Sequence, residues 1–104
     1  MINPYHKKYL KTVQDFKIFL VDGQRLRRVH IEFVEGTNFM VKKYVPAGEI
    51  WIDDNLKAKP KDMAGVILHE VFEVGQMKKG LSYEKAHRAA NRKEKSWRLK
   101  NTAK

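Results

Sequence analysis

Apolar residues recur along this chain with two periods, and the change between them divides it in half. Phe16, Ile18, Phe19, Leu20 and Val21 form a β-prone run that ends at Asp22-Gly23, a pair that favours a tight turn. Val29, Ile31 and Phe33 then alternate with His30 and Glu32, which predicts a half-buried strand stopping at Glu35-Gly36-Thr37-Asn38. A further strand is expected over Phe39 to Val45, followed by a turn at Pro46-Ala47-Gly48. Glu49 to Asp53 alternates again, with Ile50 and Ile52 on one face and Glu49, Trp51 and Asp53 on the other. Residues 5 to 15 read as weakly helical. The first half is thus expected to be a small, mainly antiparallel sheet.

The period becomes helical after Pro60. A helix is predicted to open at Pro60 or Asp62 and run to Lys79, with Gly80 where a left-handed C-terminal cap would sit. Ser82 caps a second helix through about Leu99, and the short connection implies a hairpin or a sharp corner. There is no internal repeat, low-complexity block or linker. The expectation is one α+β domain over residues 1 to 104, with 101 to 104 as a frayed tail.

Composition narrows the chemistry. A chain of 104 residues and 12.2 kDa, 42% hydrophobic, supports one modest core and excludes large cofactor-enclosing folds. With no cysteine, disulfides, thiolate ligands and cysteine nucleophiles are excluded, so a metal site must be built from imidazole and oxygen. No apolar stretch has the length of a membrane span, and Met1 to Tyr9 lacks the apolar run of a signal peptide, so a cytoplasmic protein is expected. The net charge of +10 is uneven: residues 78 to 104 hold ten Lys and Arg against Glu84 and Glu94.

At about 100° per residue, Asp62, Gly65, His69, Glu73, Gln76 and Gly80 share one narrow stripe of the first helix. Met63, Ala64, Ile67, Leu68, Val71, Phe72 and Val74 cover most of the rest, so this helix should be largely buried. His69 and Glu73 are four residues apart, one above the other, which is metal-chelate spacing. On the second helix Tyr83, Ala86, His87, Ala90, Glu94 and Trp97 share the apolar side, whereas Arg88, Arg92, Lys95 and Ser96 point away. A carboxylate among Ala, Tyr and Trp is costly unless it meets a cation, a donor or a metal. If the helices pack by these faces, His69, Glu73, His87 and Glu94 converge.

His69-Glu70-Val71-Phe72-Glu73 reads as H-E-x-x-E and resembles the H-E-x-x-H helix of zincin-like metallopeptidases. The resemblance implies Zn²⁺ (or another divalent metal) held by His69 and Glu73, a third ligand from downstream, and Glu70 as general base. A broader likeness runs from Val21-Asp22-Gly23 through Glu35-Gly36, Val45-Pro46-x-x-Glu49-Ile50-Trp51-Ile52-Asp53, Leu68-His69-Glu70-x-x-Glu73, Met77-x-x-Gly80 and Tyr83-x-x-Ala86-His87. It is similar to a family of small microbial and phage-encoded proteins regarded as minimal zincins. That likeness implies site roles for His87 and Glu94, the latter as fourth ligand or as a partner behind the ligands. In that family a Gly-Gly-His stretch stands where this chain has Gly36-Thr37-Asn38. A peptide substrate would lie along Glu49, Trp51 and Asp53, taken as a sheet edge.

A second function class rests on the basic C-terminal segment. Lys79, Lys85, Arg88, Arg92, Lys95 and Arg98 could contact nucleic-acid phosphates, with the His and Glu residues forming only a buried polar network. A membrane partner is not expected. Glu84-Lys-Ala-His87 is also an E-x-x-H pair of the kind di-iron sites use, though one chain supplies only one such pair. Asp53-Asp54-Asn55 lacks the glycine and terminal glutamate of a calcium loop and reads as a turn.

Overall fold

The structure is a computed structural model that describes residues 3 to 102. Strands β1 (Lys8–Val13) and β2 (Phe16–Val21) form a hairpin, followed by helix α1 (Gly23–Val29), β3 (Gly36–Asn38) and β4 (Glu49–Asp53). A 3-10 turn (Asp54–Ala58) leads into α2 (Pro60–Lys78) and α3 (Tyr83–Thr102). The α+β class is as expected. The sheet is mixed: in the order β1-β2-β4-β3 the outer pairs are antiparallel, and the central β2–β4 pair is parallel with Ile18 opposite Ile50. The chain crosses from β2 through α1 and β3 before laying β4 beside β2.

Alternation along the two central strands builds both sides of the core. Phe16, Ile18, Leu20, Ile50 and Ile52 face Val66, Ile67, Val71 and Val74 of α2. Val21 and Trp51 face the opposite side, under Leu26 of α1 and Phe33 and Val45 of the loops. α3 packs along α2, and Gly80 carries a positive φ of 104° at the corner between them. Ser82 Oγ accepts from Lys85 N, as its capping position predicts. No helix among the described residues is long and apolar enough to cross a membrane.

Five expectations are corrected. Residues 8 to 13 are an edge strand, not helix: their hydrogen bonds come from β2, and only Leu10 and Val13 pack on the core. Asp22-Gly23 is not a hairpin turn, because the Asp22 carboxylate accepts from Arg25 N and opens α1. The alternation of Val29, Ile31 and Phe33 does not track burial, since Val29 and Ile31 are 67% and 87% exposed while Phe33 is buried. The strand expected over Phe39 to Val45 is replaced by β3 just before it, and the amides of Val41 and Lys42 turn back onto the Asn38 carbonyl. At the C-terminus, helix continues through Asn101 and Thr102; residues 103 and 104 lie outside the described residues.

Gly23 allows α1 to sit on β4. A Cβ there would stand 2.2 Å from Asp53 Oδ2, the buried carboxylate that accepts from Arg27 Nη1 at 2.9 Å and from Asn55 N at 3.0 Å. Gly23→Ala is therefore expected to cost about 2 kcal/mol or more through overpacking and a displaced ion pair. Denaturation midpoints of the two proteins check this, and an unchanged midpoint would contradict the packing described.

Candidate metal centre

The polar stripe of α2 faces the apolar side of α3, and their side chains meet. Glu73 Oε2 lies 3.3 Å from His69 Nε2 and 2.7 Å from His87 Nδ1, and donor atoms of His69, Glu73 and His87 all fall within 4.8 Å of one another. Ligand atoms bonded tetrahedrally to one zinc at about 2.0–2.1 Å stand roughly 3.3 Å apart, a spacing that the His69 Nε2–Glu73 Oε2 distance matches and to which a small shift of the side chains would bring the rest. Two imidazoles and a carboxylate are also an ordinary zinc donor set.

Glu94 stands behind this cluster. Its Oε1 lies 3.0 Å from His69 Nδ1, the ring nitrogen turned away from Glu73, and its Oε2 accepts from Arg98 Nε at 2.7 Å. Arg98 in turn donates to Asp62 Oδ1 at 2.8 Å. The chain Asp62–Arg98–Glu94–His69 fixes the imidazole so that Nε2 points at the cluster, as carboxylates do behind many metal-bound histidines. Arg98 thus belongs to this buttress and not to a solvent-facing phosphate contact. Asp62, on the predicted stripe, serves here as its anchor.

Glu70 occupies the next position around α2 and is 6% exposed. Its Oε1 accepts from Asn38 Nδ2 at 2.8 Å, and the same amide donates to Glu73 Oε1 at 3.1 Å. Asn38 is fully buried, and its Oδ1 accepts from Met40 N, which orients the amide. Gly36 lets β3 approach α2 here, because a Cβ would meet Val66 Cγ1 at 2.8 Å and Glu70 Cγ at 3.3 Å. One side chain of the sheet therefore holds two carboxyls of the helix. Sequence reasoning placed Asn38 only at a departure from a family motif; the signal it missed is an amide in the strand facing two glutamates.

The electrostatics follow from crowding. Burial and the neighbouring Glu73 charge push the Glu70 carboxyl up to about 7, against the hydrogen bond from Asn38. Burial opposes the charged form of Glu73, but its bonds to His69 and His87 prevail and hold it below the usual carboxylate value. Burial likewise opposes an imidazolium at His69, yet its hydrogen bond to Glu73 and the charges of Glu70, Glu73 and Glu94 raise its pKa.

The cluster opens into a cleft of about 700 Å³ between β3, the loop of residues 32 to 35, residues 40 to 44 and the two helices. Tyr83 stacks on His87 with ring centroids 5.2 Å apart and borders the same cleft. β4 does not border it: the strand lies between β2 and β3, with Trp51 and Asp53 buried. Trp51 Nε1 and Lys7 Nζ instead hold the Glu49 carboxylate, so Glu49, Trp51 and Asp53 form no substrate edge. The strand edge beside the cluster belongs to β3, where Gly36 and Thr37 line the cleft. Glu84 is exposed and reaches Arg88, so it does not join His87 as a paired ligand. His30 stacks on Tyr44 at 3.7 Å, outside the cluster.

No family model, curated protein or solved structure matches the chain. Fold and side chains together define a class: an α+β protein with a two-histidine, one-carboxylate cluster on a helical hairpin and a second buried carboxyl beside it.

Proposed function

We propose that this protein is a zinc-dependent hydrolase of the minimal zincin-like kind, acting on peptide bonds. The observation that carries the reading is the convergence of His69, Glu73 and His87 within 4.8 Å, with Glu70 buried alongside. His69, Glu73 and His87 would hold the ion, and Glu94 orients His69 from behind without being a ligand itself. Zinc bound there would supply a Lewis acid that polarises a carbonyl and acidifies water.

The protein's own residues divide the remaining work. Glu70 takes a proton from the attacking water at its carboxylate and returns it to the leaving amine. Asn38 keeps Glu70 in place and occupies Glu73 Oε1, leaving Oε2 toward the histidines. A peptide can pair with the outer edge of β3 and pass across the cluster. Glu32, Glu35, Glu70, Glu73 and Glu94 line the cleft against a single lysine, Lys42, so its field favours a dication and basic stretches of polypeptide.

Metal analysis of protein purified without a histidine tag tests the reading most directly. The expected result is about one zinc per chain, with a melting temperature lowered by chelation. A metal-free protein indifferent to both zinc and chelator would overturn it.

A further inference from the structure

α3 has two faces, and only the inner one is used by the cluster. Ala86 and Ala90 on that face are fully buried, in line with His87 and Glu94. About 180° around the helix, Lys85, Arg88, Arg92 and Lys95 form one continuous exposed stripe. Lys85, Arg92 and Lys95 have no side-chain hydrogen bond or ion pair among the described residues. Arg88 reaches Glu84 only at 4.0 Å, and both side chains are well exposed.

We propose that this outer stripe docks the phosphate backbone of a nucleic acid, independently of the metal cluster. From Lys85 to Lys95 the helix rises about 15 Å, long enough to face the phosphates of more than one nucleotide, since each strand of duplex DNA carries one charge per roughly 3.4 Å of helix axis. The charge map assigns the two faces different partners. The cleft is lined by five glutamates and one lysine, with Glu94 paired to Arg98 and Glu32 to Lys42, whereas the back of the helix carries four exposed cations in a chain of net charge +10, so phosphate is attracted to the helix's back. The stripe contains no aromatic side chain, and Leu99 is the large apolar residue beside it. It therefore lacks the apolar face that inserts into a membrane surface and the aromatic anchors of a protein interface. Phosphate contacts without base readout are what remains, so binding should be insensitive to sequence.

Four cations predict a slope of about −3 to −4 for log affinity against log salt on duplex DNA. Between about 50 and 200 mM salt the affinity should fall roughly 100-fold. The test uses a short fluorescent duplex of arbitrary sequence and the double variant Arg92→Glu/Lys95→Glu. The variant should bind at least about tenfold more weakly, with a slope smaller in magnitude by about 2. Its circular dichroism and its thermal response to zinc should match the parent's, which separates loss of the stripe from loss of the fold or of the cluster. No binding by the parent in dilute salt, equal binding by the variant, or tighter binding to phosphatidylserine vesicles than to DNA would each overturn the proposal.

Discussion

Glu70→Gln should leave the zinc content at the parent's level and lower peptide hydrolysis by about 10²- to 10⁴-fold. Glu70 stands one position around α2 from His69 and is bonded through Oε1 to Asn38, so it reaches the space before the cluster without being a ligand. Gln keeps the volume and can still accept from Asn38, but it cannot take a proton. A second effect follows in chelator-treated protein. The Glu70 carboxyl is raised from 4.5 to about 7 by burial and by Glu73, so the folded state favours its neutral form. That contribution is fully present below about pH 4.5 and is lost as pH rises through about 7, a change on the order of 3 kcal/mol. The glutamine variant has nothing to lose over this window. Its stability relative to the parent should therefore grow from pH 5 to pH 8 in denaturant titrations. A pH-independent gap, or a variant without zinc, would contradict the role assigned to Glu70.

His87→Ala should abolish the thermal stabilisation that zinc confers. His87 is the one member of the cluster that α3 contributes, and its loss leaves two protein ligands, both on α2. The drop in zinc affinity should exceed the 10- to 100-fold typical of removing a partner behind a ligand. At free zinc about 100 times the dissociation constant the parent gains about 2.7 kcal/mol, roughly 10 °C or more in a domain of this size. Without zinc the variant should melt below the parent, because Glu73 loses a 2.7 Å partner while nearly fully buried. Melts of both proteins with and without zinc distinguish the two contributions. A zinc shift of equal size in parent and variant would place the ion elsewhere.

What could be read in the sequence was whatever periodicity reports directly. The helical pair and the Gly80 corner follow from spacing, and so do the faces that His69, Glu73, His87 and Glu94 share on their helices, because a helix fixes which side chains share a face; their convergence needed the further condition that the helices pack by those faces, as they do. Period-two patterns were less reliable. Ile50 and Ile52 point to the core as expected, but Val29 and Ile31 alternate just as regularly in a helix end and a turn exposed to solvent. The parallel β2–β4 pair brings together residues more than thirty positions apart, and no local signal encodes it. That pairing also decides which strand is the edge, so the error over Glu49, Trp51 and Asp53 is one of topology rather than of secondary structure. Asn38 escaped for a related reason: its role depends on contacts to Glu70 and Glu73, 32 and 35 residues away.

The two outer strands bear on how copies of this chain behave when crowded together. A sheet grows by templating on a long, flat, apolar border, and neither border here offers one. β1 presents Lys8 and Lys11 and breaks its register between Tyr9 and Lys11, while β3 is only three residues long. Stacking one molecule's border on another's would bring lysines of like charge together and give few new backbone bonds. The chain can thus carry a short edge strand beside its cleft without inviting its own polymerisation.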